Sequence, residues 1–174
     1  TYQWTDNPAW CLYDMLTHDR YGLGTKLDEA LIDKFSFYEA AQYCDELVND
    51  GNGTGTYEPR FTFNAQFMVR ENAWKALQAV ASVFNAKLYM HAGYIRLALD
   101  RPAAATKLIT NSNVVNGIFT YSGSPATDRY TACNITYNNP ADNFLPTVIT
   151  EQDAAGIARY GYQAIDMVAY GATS

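Results

Sequence analysis

The chain has 174 residues, of which 48% are hydrophobic and 17% charged, a composition typical of a globular protein and not of a disordered one. Its formal net charge is −6, and the few cations are scattered singly, which disfavours a nucleic-acid binder or a charge-driven membrane surface. The three widely spaced cysteines (Cys11, Cys44 and Cys133) fit neither a disulfide framework nor a zinc site. We therefore expect one domain or two small ones, with buried thiols and synthesis in a reducing cytoplasm.

Helical signals dominate the first third of the chain. Asn7 is a good N-cap, Pro8 suits the first helical position, and the apolar spacing predicts a helix from Ala9 to about Asp19. The sequence Tyr21-Gly22-Leu23-Gly24 ends this helix. A further short helix is predicted over Leu27 to Asp33.

A second helix is predicted from a capping box. Ser36 can cap an amide three residues on, and Glu39 can reach back to the Ser36 amide. The predicted helix runs to about Asn49, with Phe35 stapled over Ala40.

The middle of the chain combines a helix with a hairpin. Residues 50–55 form a glycine-rich loop, and an alternating strand is predicted from Phe61 to about Val69. Residues 71–84 have the clearest helical periodicity, and residues 87–100 read as a hairpin that turns at His91-Ala92-Gly93. The residues predicted to line one face of this helix are Trp74, Leu77, Ala81 and Phe84.

The last third is rich in strand signals. We expect strands over residues 117–122, 129–137, 145–151 and 162–170, and a short helix over residues 152–160. The predicted fold class is α+β, with a helical N-terminal third, a helix plus β-hairpin middle and a β-rich C-terminal part. The predicted subdomains are residues 1–106 and 107–174, within what can also be one continuous domain. The chain begins at Thr1 without Met, so we interpret it as a piece of a larger polypeptide.

Neither of the two histidines indicates a catalytic or metal site. His18 falls at a predicted helix end and His91 at a hairpin tip, and no HExxH motif is present. Ligation and base catalysis need partners held by rigid elements, so we expect both imidazoles to be structural.

Carboxylates are candidates for glycoside hydrolysis, which needs a pair of them. Two acidic clusters fall on predicted exposed helical faces, where solvated charge is the simpler interpretation, namely Asp28, Glu29 and Asp33, and then Asp45, Glu46 and Asp50. Glu58 precedes Pro59 and could pair with an arginine such as Arg60 to fix the start of a strand. Asp142 could belong to a calcium loop, but an Asx-rich turn explains it better.

No other motif predicts chemistry. The glycine loop at residues 51–55 lacks the lysine-serine ending of a phosphate loop, and no GxSxG elbow is present. Aromatic residues recur in the β regions, where sugar stacking is an alternative to cross-strand packing, namely Tyr89, Tyr94, Phe119, Tyr121, Tyr130 and Tyr137. We predict no catalytic residue, no cofactor and no metal.

Several phrases of the sequence resemble one family. They include Asp6-Asn7-Pro8-Ala9-Trp10, Ala41 to Val48, Glu58 to Asn64, Asn72 to Gln78 and Asn113 to Gly123. In this order and spacing they resemble the central region of the tail tip attachment proteins of lambda-like phages, also called host specificity protein J. The turn Asn138-Asn139-Pro140 departs from the Asp-Pro of that family.

The resemblance implies a structural role without catalysis. Proteins of this family form homotrimeric central hubs at the tail tip, contact the distal tail ring, tail tube and tape measure proteins, and attach to the host. The resemblance therefore implies a virion location at the tail tip after synthesis in the host cytoplasm. It implies receptor contact through other parts of the parent, and no nucleic-acid binding by this chain.

Two rival functions come from the residues themselves. The tyrosine-rich surface is compatible with a receptor- or glycan-binding module. A cell-wall hydrolase acting through carboxylates such as Glu58 and Asp142 is the weaker rival.

Overall fold

The computed structural model describes residues 3–51, 53, 55–67 and 72–172. It has an α+β architecture, which confirms the predicted fold class. The α-helices are α1 (Pro8–Thr17), α2 (Lys34–Asp45), α3 (Ala73–Val83) and α4 (Ala154–Tyr160). The strands are β1 (Leu47–Asn49), β2 (Tyr57–Pro59), β3 (Ala86–His91), β4 (Tyr94–Leu99), β5 (Ala132–Asn139), β6 (Leu145–Gln152) and β7 (Ala164–Val168).

The chain divides into two compact units that are not contiguous in sequence. The first unit consists of Thr1–Asp100, Thr136–Thr147 and Val168–Ser174, and the second of Arg101–Ile135 and Val148–Met167. The boundary predicted between residues 106 and 107 stays a prediction. None of the described helices is long and apolar enough to cross a membrane.

Helix α1 begins as predicted. The Asn7 side chain accepts hydrogen bonds from the amides of Ala9 and Trp10, and Pro8 occupies the first turn, where its missing N–H is not needed. The helix ends at Thr17, two residues before the predicted end. The loop that follows returns to the last turn, because the amide of Leu23 donates to the Met15 carbonyl at 3.0 Å.

Helix α2 begins earlier than the capping box predicts. Asp33 is the N-cap and its Oδ1 accepts from the Phe35 amide, while the Ser36 hydroxyl donates to the Asp33 carbonyl and accepts from the Leu97 amide of β4. The capping-box prediction at Ser36 is therefore wrong, since its hydroxyl binds a strand. The predicted staple of Phe35 is also wrong, because that side chain is 84% exposed.

The predicted end of α2 near Asn49 is wrong as well. The helix ends at Asp45, and the next residues form β1, which pairs antiparallel with β2 around the glycine loop. Residues 61–67 form no strand, and the rest of the strand predicted to end near Val69 lies outside the described residues.

Helix α3 and the β3–β4 hairpin confirm their predictions. Asn72 caps α3, and β3 pairs antiparallel with β4 through a two-residue turn, Ala92-Gly93, with φ of +50° and +83°. Glycine suits the second of these left-handed positions. Trp74 departs from the predicted face of α3, because half of its surface is exposed while Leu77, Ala81 and Phe84 are buried.

The first unit contains the hydrophobic core of the described residues. Its buried apolar side chains come from α1, α2, α3 and the β3–β4 hairpin, and they include Leu12, Leu16, Phe37, Val80 and Phe84. Burying a side chain of this size stabilises the fold by roughly 1.5–3 kcal/mol. This core explains how the N-terminal helices and the hairpin hold one another.

The C-terminal part has the predicted helix and three of the four predicted strands. Strands β5, β6 and β7 form one sheet in the order β6-β5-β7, and α4 lies in the chain between β6 and β7. The strand predicted over residues 117–122 is not formed, because a short 3₁₀ turn covers Val115–Gly117 and residues 118–125 pair with no described strand.

Candidate assembly surface

The carboxylates of the first acidic cluster cap helices and form ion pairs. Asp28 accepts from the Ala30 amide at 2.9 Å. Glu29 lies 2.6 Å from the Lys34 ammonium group, and the Asp33 carboxylate lies 3.1 Å from Arg96 Nε. Because each carboxylate has a structural partner, this cluster offers no spare acid–base pair.

Both ion pairs, Glu29 with Lys34 and Asp33 with Arg96, border a groove of about 360 Å³ in the first unit. The Lys34 ammonium group and the Tyr13 hydroxyl donate to Glu29 and lower the pKa of its carboxyl group, and the same contact with Glu29 raises the pKa of Lys34. The contact therefore stabilises the charged forms of both Glu29 and Lys34. The groove is therefore lined by ion pairs, and Phe35 and Tyr94 line it beside them.

The second acidic cluster is structural too. Asp45 accepts from the Asn7 side chain at 2.8 Å, Glu46 pairs with Arg60 at 2.8 Å, and Asp50 accepts from the Thr56 hydroxyl across the β1–β2 loop. The arginine pairing expected for Glu58 is thus wrong for Arg60, which binds Glu46 instead. Glu58 lies in β2 opposite Val48.

Asp142 and the glycine loop belong to turns. Asp142 ends a 3₁₀ turn between β5 and β6 whose cap is Asn139, the side chain of which accepts from the Ala141 amide at 3.0 Å. This Asx turn is the interpretation favoured by the sequence. The glycine loop follows a strand, β1, and not the predicted helix, and it forms the connection of a small hairpin.

The histidines also lie in structural positions. His18 is the C-cap of α1, its ring stacks on Tyr21 at 3.8 Å between centroids, and its Nδ1 accepts from the Arg20 amide at 3.1 Å. His91 ends β3 and is the register partner of Tyr94. Over the described part of the chain, no group of three His, Cys, Asp or Glu residues could hold a metal ion.

The second unit differs from the first because almost none of its described apolar side chains is fully buried. Among its described residues, Ala132 is the one buried hydrophobic residue. The exposed ones are Leu108, Ile109, Val115, Ile118, Phe119, Tyr121, Tyr130, Val148, Ile149, Tyr162 and Met167. We call this set the apolar surface of the second unit. The first unit also exposes large apolar side chains, such as Trp4 and Phe35, but it buries others in a core, which the described residues of the second unit do not form.

Polar bonds organise the second unit in place of an apolar core. The buried Thr131 hydroxyl donates to the Gly161 carbonyl at 2.8 Å and accepts from the Gln163 amide at 2.9 Å, while the Thr131 carbonyl accepts from the Asp153 amide. The Asn134 side chain joins Thr150 of β6 to Asp166 of β7, with both bonds at 2.8 Å. These bonds fix the backbone and leave the apolar side chains outside.

The charge of the second unit supports contact with another protein surface. Its formal charge is zero, because four cations (Arg101, Lys107, Arg129 and Arg159) balance four acids (Asp128, Glu151, Asp153 and Asp166). The remaining residues therefore carry the whole net charge of −6. A unit without net charge has little electrostatic repulsion to overcome on association.

The aromatic candidates divide between the two units. Tyr89 and Tyr94 are partly exposed in the hairpin of the first unit, while Phe119, Tyr121 and Tyr130 belong to the apolar surface. The sequence did not single out Val148, Ile149 and Met167 as candidates for a binding surface. The adjacent pair Val148-Ile149 was the available signal. Neighbouring residues of a strand point to opposite faces of the sheet, so two adjacent apolar residues indicate a strand that is buried on both faces.

Comparisons with known proteins give one consistent result. A family model described as "Putative phage tail protein" matches residues 72–173. The chain is 34% identical over 170 residues to a tip attachment protein J of Escherichia phage SECphi27, and 32% identical over 171 residues to one of Escherichia phage SECphi4. Each alignment covers 98% of this chain but only 14% and 15% of the respective relative, so the chain spans about one seventh of their length.

Proposed function

Because this chain belongs to the phage tail protein family, we propose that it is one structural domain of a central hub at a phage tail tip. The two relatives named tip attachment protein J support the location at the tip. In this proposal the domain is made in the host cytoplasm, assembles as a homotrimer, and contacts the distal tail ring, tail tube and tape measure proteins. Other parts of the parent contact the host receptor.

The apolar surface of the second unit is the observation that carries the proposal. A unit in which Ala132 is the one buried hydrophobic residue among those described cannot gain much stability from its own packing. Burying Val148 (59% exposed) or Ile118 (68% exposed) against a neighbour would supply that stability through assembly. A structural hub works in this way, by presenting complementary surfaces to sister subunits.

The proposal includes the absence of a catalytic role. Several of the carboxylates and imidazoles that catalysis would use are caps, ion-pair members or stacking partners, as described above for Asp33, Glu29 and His18. A catalytic group needs to be poised for proton transfer, whereas these groups are held by backbone amides and opposite charges.

A charge substitution on the apolar surface tests the proposal. A phage whose natural full-length chain carries Val148→Asp should form few complete tails, because a carboxylate would have to be desolvated against a neighbour. We expect the titre to fall by a factor of about 100 or more, because each incomplete tail removes a particle from the infectious population. Tail completeness is counted by electron microscopy of the same lysates.

Ser124→Asp is the matched control, since Ser124 is an exposed polar residue of the same unit. It adds the same charge outside the apolar surface and should leave the titre unchanged. Normal tails and a normal titre for Val148→Asp would contradict the proposal, and so would an equal loss for both variants.

A further inference from the structure

Residues 118–122 of the second unit have the character of a strand that has no partner. Ile118 has φ of −108° and ψ of +127°, which is extended backbone, and the ring centroids of Phe119 and Tyr121 lie 6.3 Å apart. The backbone of Ile118 is therefore extended, although residues 118–122 form no strand and pair with no described strand.

The sequence of this segment explains its conformation. The run Ile-Phe-Thr-Tyr consists of β-branched and aromatic residues, which favour extended backbone. It contains no charge and no proline, the two devices that usually protect an unpaired strand from pairing with another chain. Ile118 is 68% exposed and Tyr121 is 89% exposed, so these large side chains of the segment are open to solvent.

The backbone of this segment is also unsatisfied within the described chain. No backbone hydrogen bond to another described residue involves the amides of residues 118–124. Edge amides of this kind bind water in an isolated chain and pair readily with an added strand.

Residues 148–152 of strand β6 lie in the same unit and offer a complementary edge. The sheet order β6-β5-β7 leaves one side of β6 without a neighbour among the described strands. Residues 148–152 are all exposed, and Val148 and Ile149 point to opposite faces, so neither face is covered. Pro146 lacks an N–H and confines regular pairing to the residues after it.

We propose that residues 118–122 of one copy add as a strand to the outer edge of β6, along residues 148–152, of a second copy. This inference rests on the proposed function and specifies how neighbouring hub subunits join. The occupant is a second copy because the chain itself carries both halves of the contact, a donor segment and an acceptor edge. Among the described residues of one copy, neither residues 118–122 nor the outer edge of β6 has a paired strand.

The arrangement also agrees with a closed ring. The donor and the acceptor are different parts of the surface, so the contact is head-to-tail and passes from copy to copy until the rotation closes. The paired strand would supply main-chain hydrogen bonds, and Ile118 and Tyr121 would gain apolar neighbours such as Val148 and Ile149. The contact covers part of the apolar surface and leaves the rest for other packing.

Disulfide trapping in the assembled natural chain tests the contact. Thr120→Cys is combined in turn with Val148→Cys, Ile149→Cys and Thr150→Cys, and the assemblies are formed from mixed light and ¹⁵N-labelled chains. We expect disulfides that join light to heavy peptides, at least tenfold faster than for Ser124→Cys with the same partners. Their yield should alternate along β6, because side chains two apart share a face.

Trapping without mixed-label peptides, or at a rate no greater than for Ser124→Cys, would overturn the inference. If the subunits still form complete tails in that case, strand addition fails while the proposed function stands. If the subunits form no assembly, both fail.

Hydrogen exchange on the unmodified chain gives a second measurement that needs no variant. The amides of residues 118–122 should exchange at least tenfold more slowly in the assembly than in the dilute chain, in an alternating pattern. Equal rates in the two states would overturn the inference.

Discussion

Asn7 shows how one buried polar residue connects distant parts of the first unit. Its side chain is almost fully buried, and its Oδ1 accepts from the first amides of α1. Its Nδ2 donates to the Ala41 carbonyl at 2.9 Å and to the Asp45 carboxylate at 2.8 Å. The cap was predictable from the sequence, since Asn-Pro is a local signal. The two bonds to α2 were not, because their partners are more than thirty residues away.

Replacing Asn7 should therefore cost more than replacing an ordinary cap. Asn7→Ala removes the cap and both bonds to α2, and we expect a loss of about 2–3 kcal/mol in the free energy of unfolding. Asn72→Ala is the control, because Asn72 is an exposed residue that caps α3 through its Oδ1, and this substitution should cost about 1 kcal/mol. Urea denaturation followed by far-UV circular dichroism measures both. Equal losses would contradict the role of Asn7 between the helices.

Cys44 gives a prediction about pH. Burial, and then the nearby Asp45 carboxylate, raise the pKa of its thiol from 9.0 to about 12. A raised pKa means that the folded state favours the neutral thiol, so this contribution to stability is complete below about pH 9 and is lost as the pH rises toward 12. Iodoacetamide at pH 8 should leave Cys44 unmodified in the folded chain and modify it in urea. Rapid modification of the folded chain would contradict this.

Thr131 stabilises the second unit through buried hydrogen bonds, whereas core side chains stabilise the first unit through apolar packing. Thr131→Val keeps the shape but leaves the Gly161 carbonyl and the Gln163 amide without the hydroxyl. We expect a local loss of about 2 kcal/mol, seen as roughly thirtyfold faster hydrogen exchange in residues 132–135. Thr131→Ser keeps the hydroxyl and should stay within threefold of the natural rate. A similar acceleration in both variants would assign the effect to packing instead.

At the scale of elements, local sequence signals predicted helices and the hairpin reliably, but they did not predict which other strands pair. Helix α1, helix α3 and the β3–β4 hairpin followed from caps, periodicity and a two-residue turn, all of which lie within a few neighbouring residues. Helix α2 shows the limit, because Ser36 fits a capping box but its hydroxyl binds the Leu97 amide of β4. The segment at 117–122 shows another limit, since β-propensity cannot tell whether a partner strand exists.

The loop after α1 gives a prediction at this scale. A Cβ on Gly22 would lie 2.5 Å from the Met15 carbonyl oxygen and 2.7 Å from that of His18, and backbone atoms cannot move aside cheaply. Gly22→Ala should therefore destabilise the first unit by about 2–3 kcal/mol. Gly123→Ala is the control, because a Cβ there meets nothing within 4 Å. Urea denaturation that shows the same midpoint for both variants would contradict this packing.

At the scale of the whole molecule, the two units differ in how they gain stability. The first has an apolar core, and the second has a polar framework with its apolar side chains outside. Composition alone could not reveal this difference, because both parts contain similar hydrophobic residues. The candidate surface was visible in the sequence only as strand-like runs such as Leu145 to Glu151. Which of their faces stay uncovered depends on the tertiary structure.

Hydroxyl-radical footprinting tests most directly whether assembly covers the apolar surface. Tyr121, Met167 and Tyr162 are 89%, 54% and 58% exposed in the single chain and react readily with hydroxyl radicals. Their oxidation rates are compared between the dilute natural chain and purified phage tails. We predict at least a fivefold decrease in the tails for most residues of the surface. Unchanged rates across the whole surface would contradict the account.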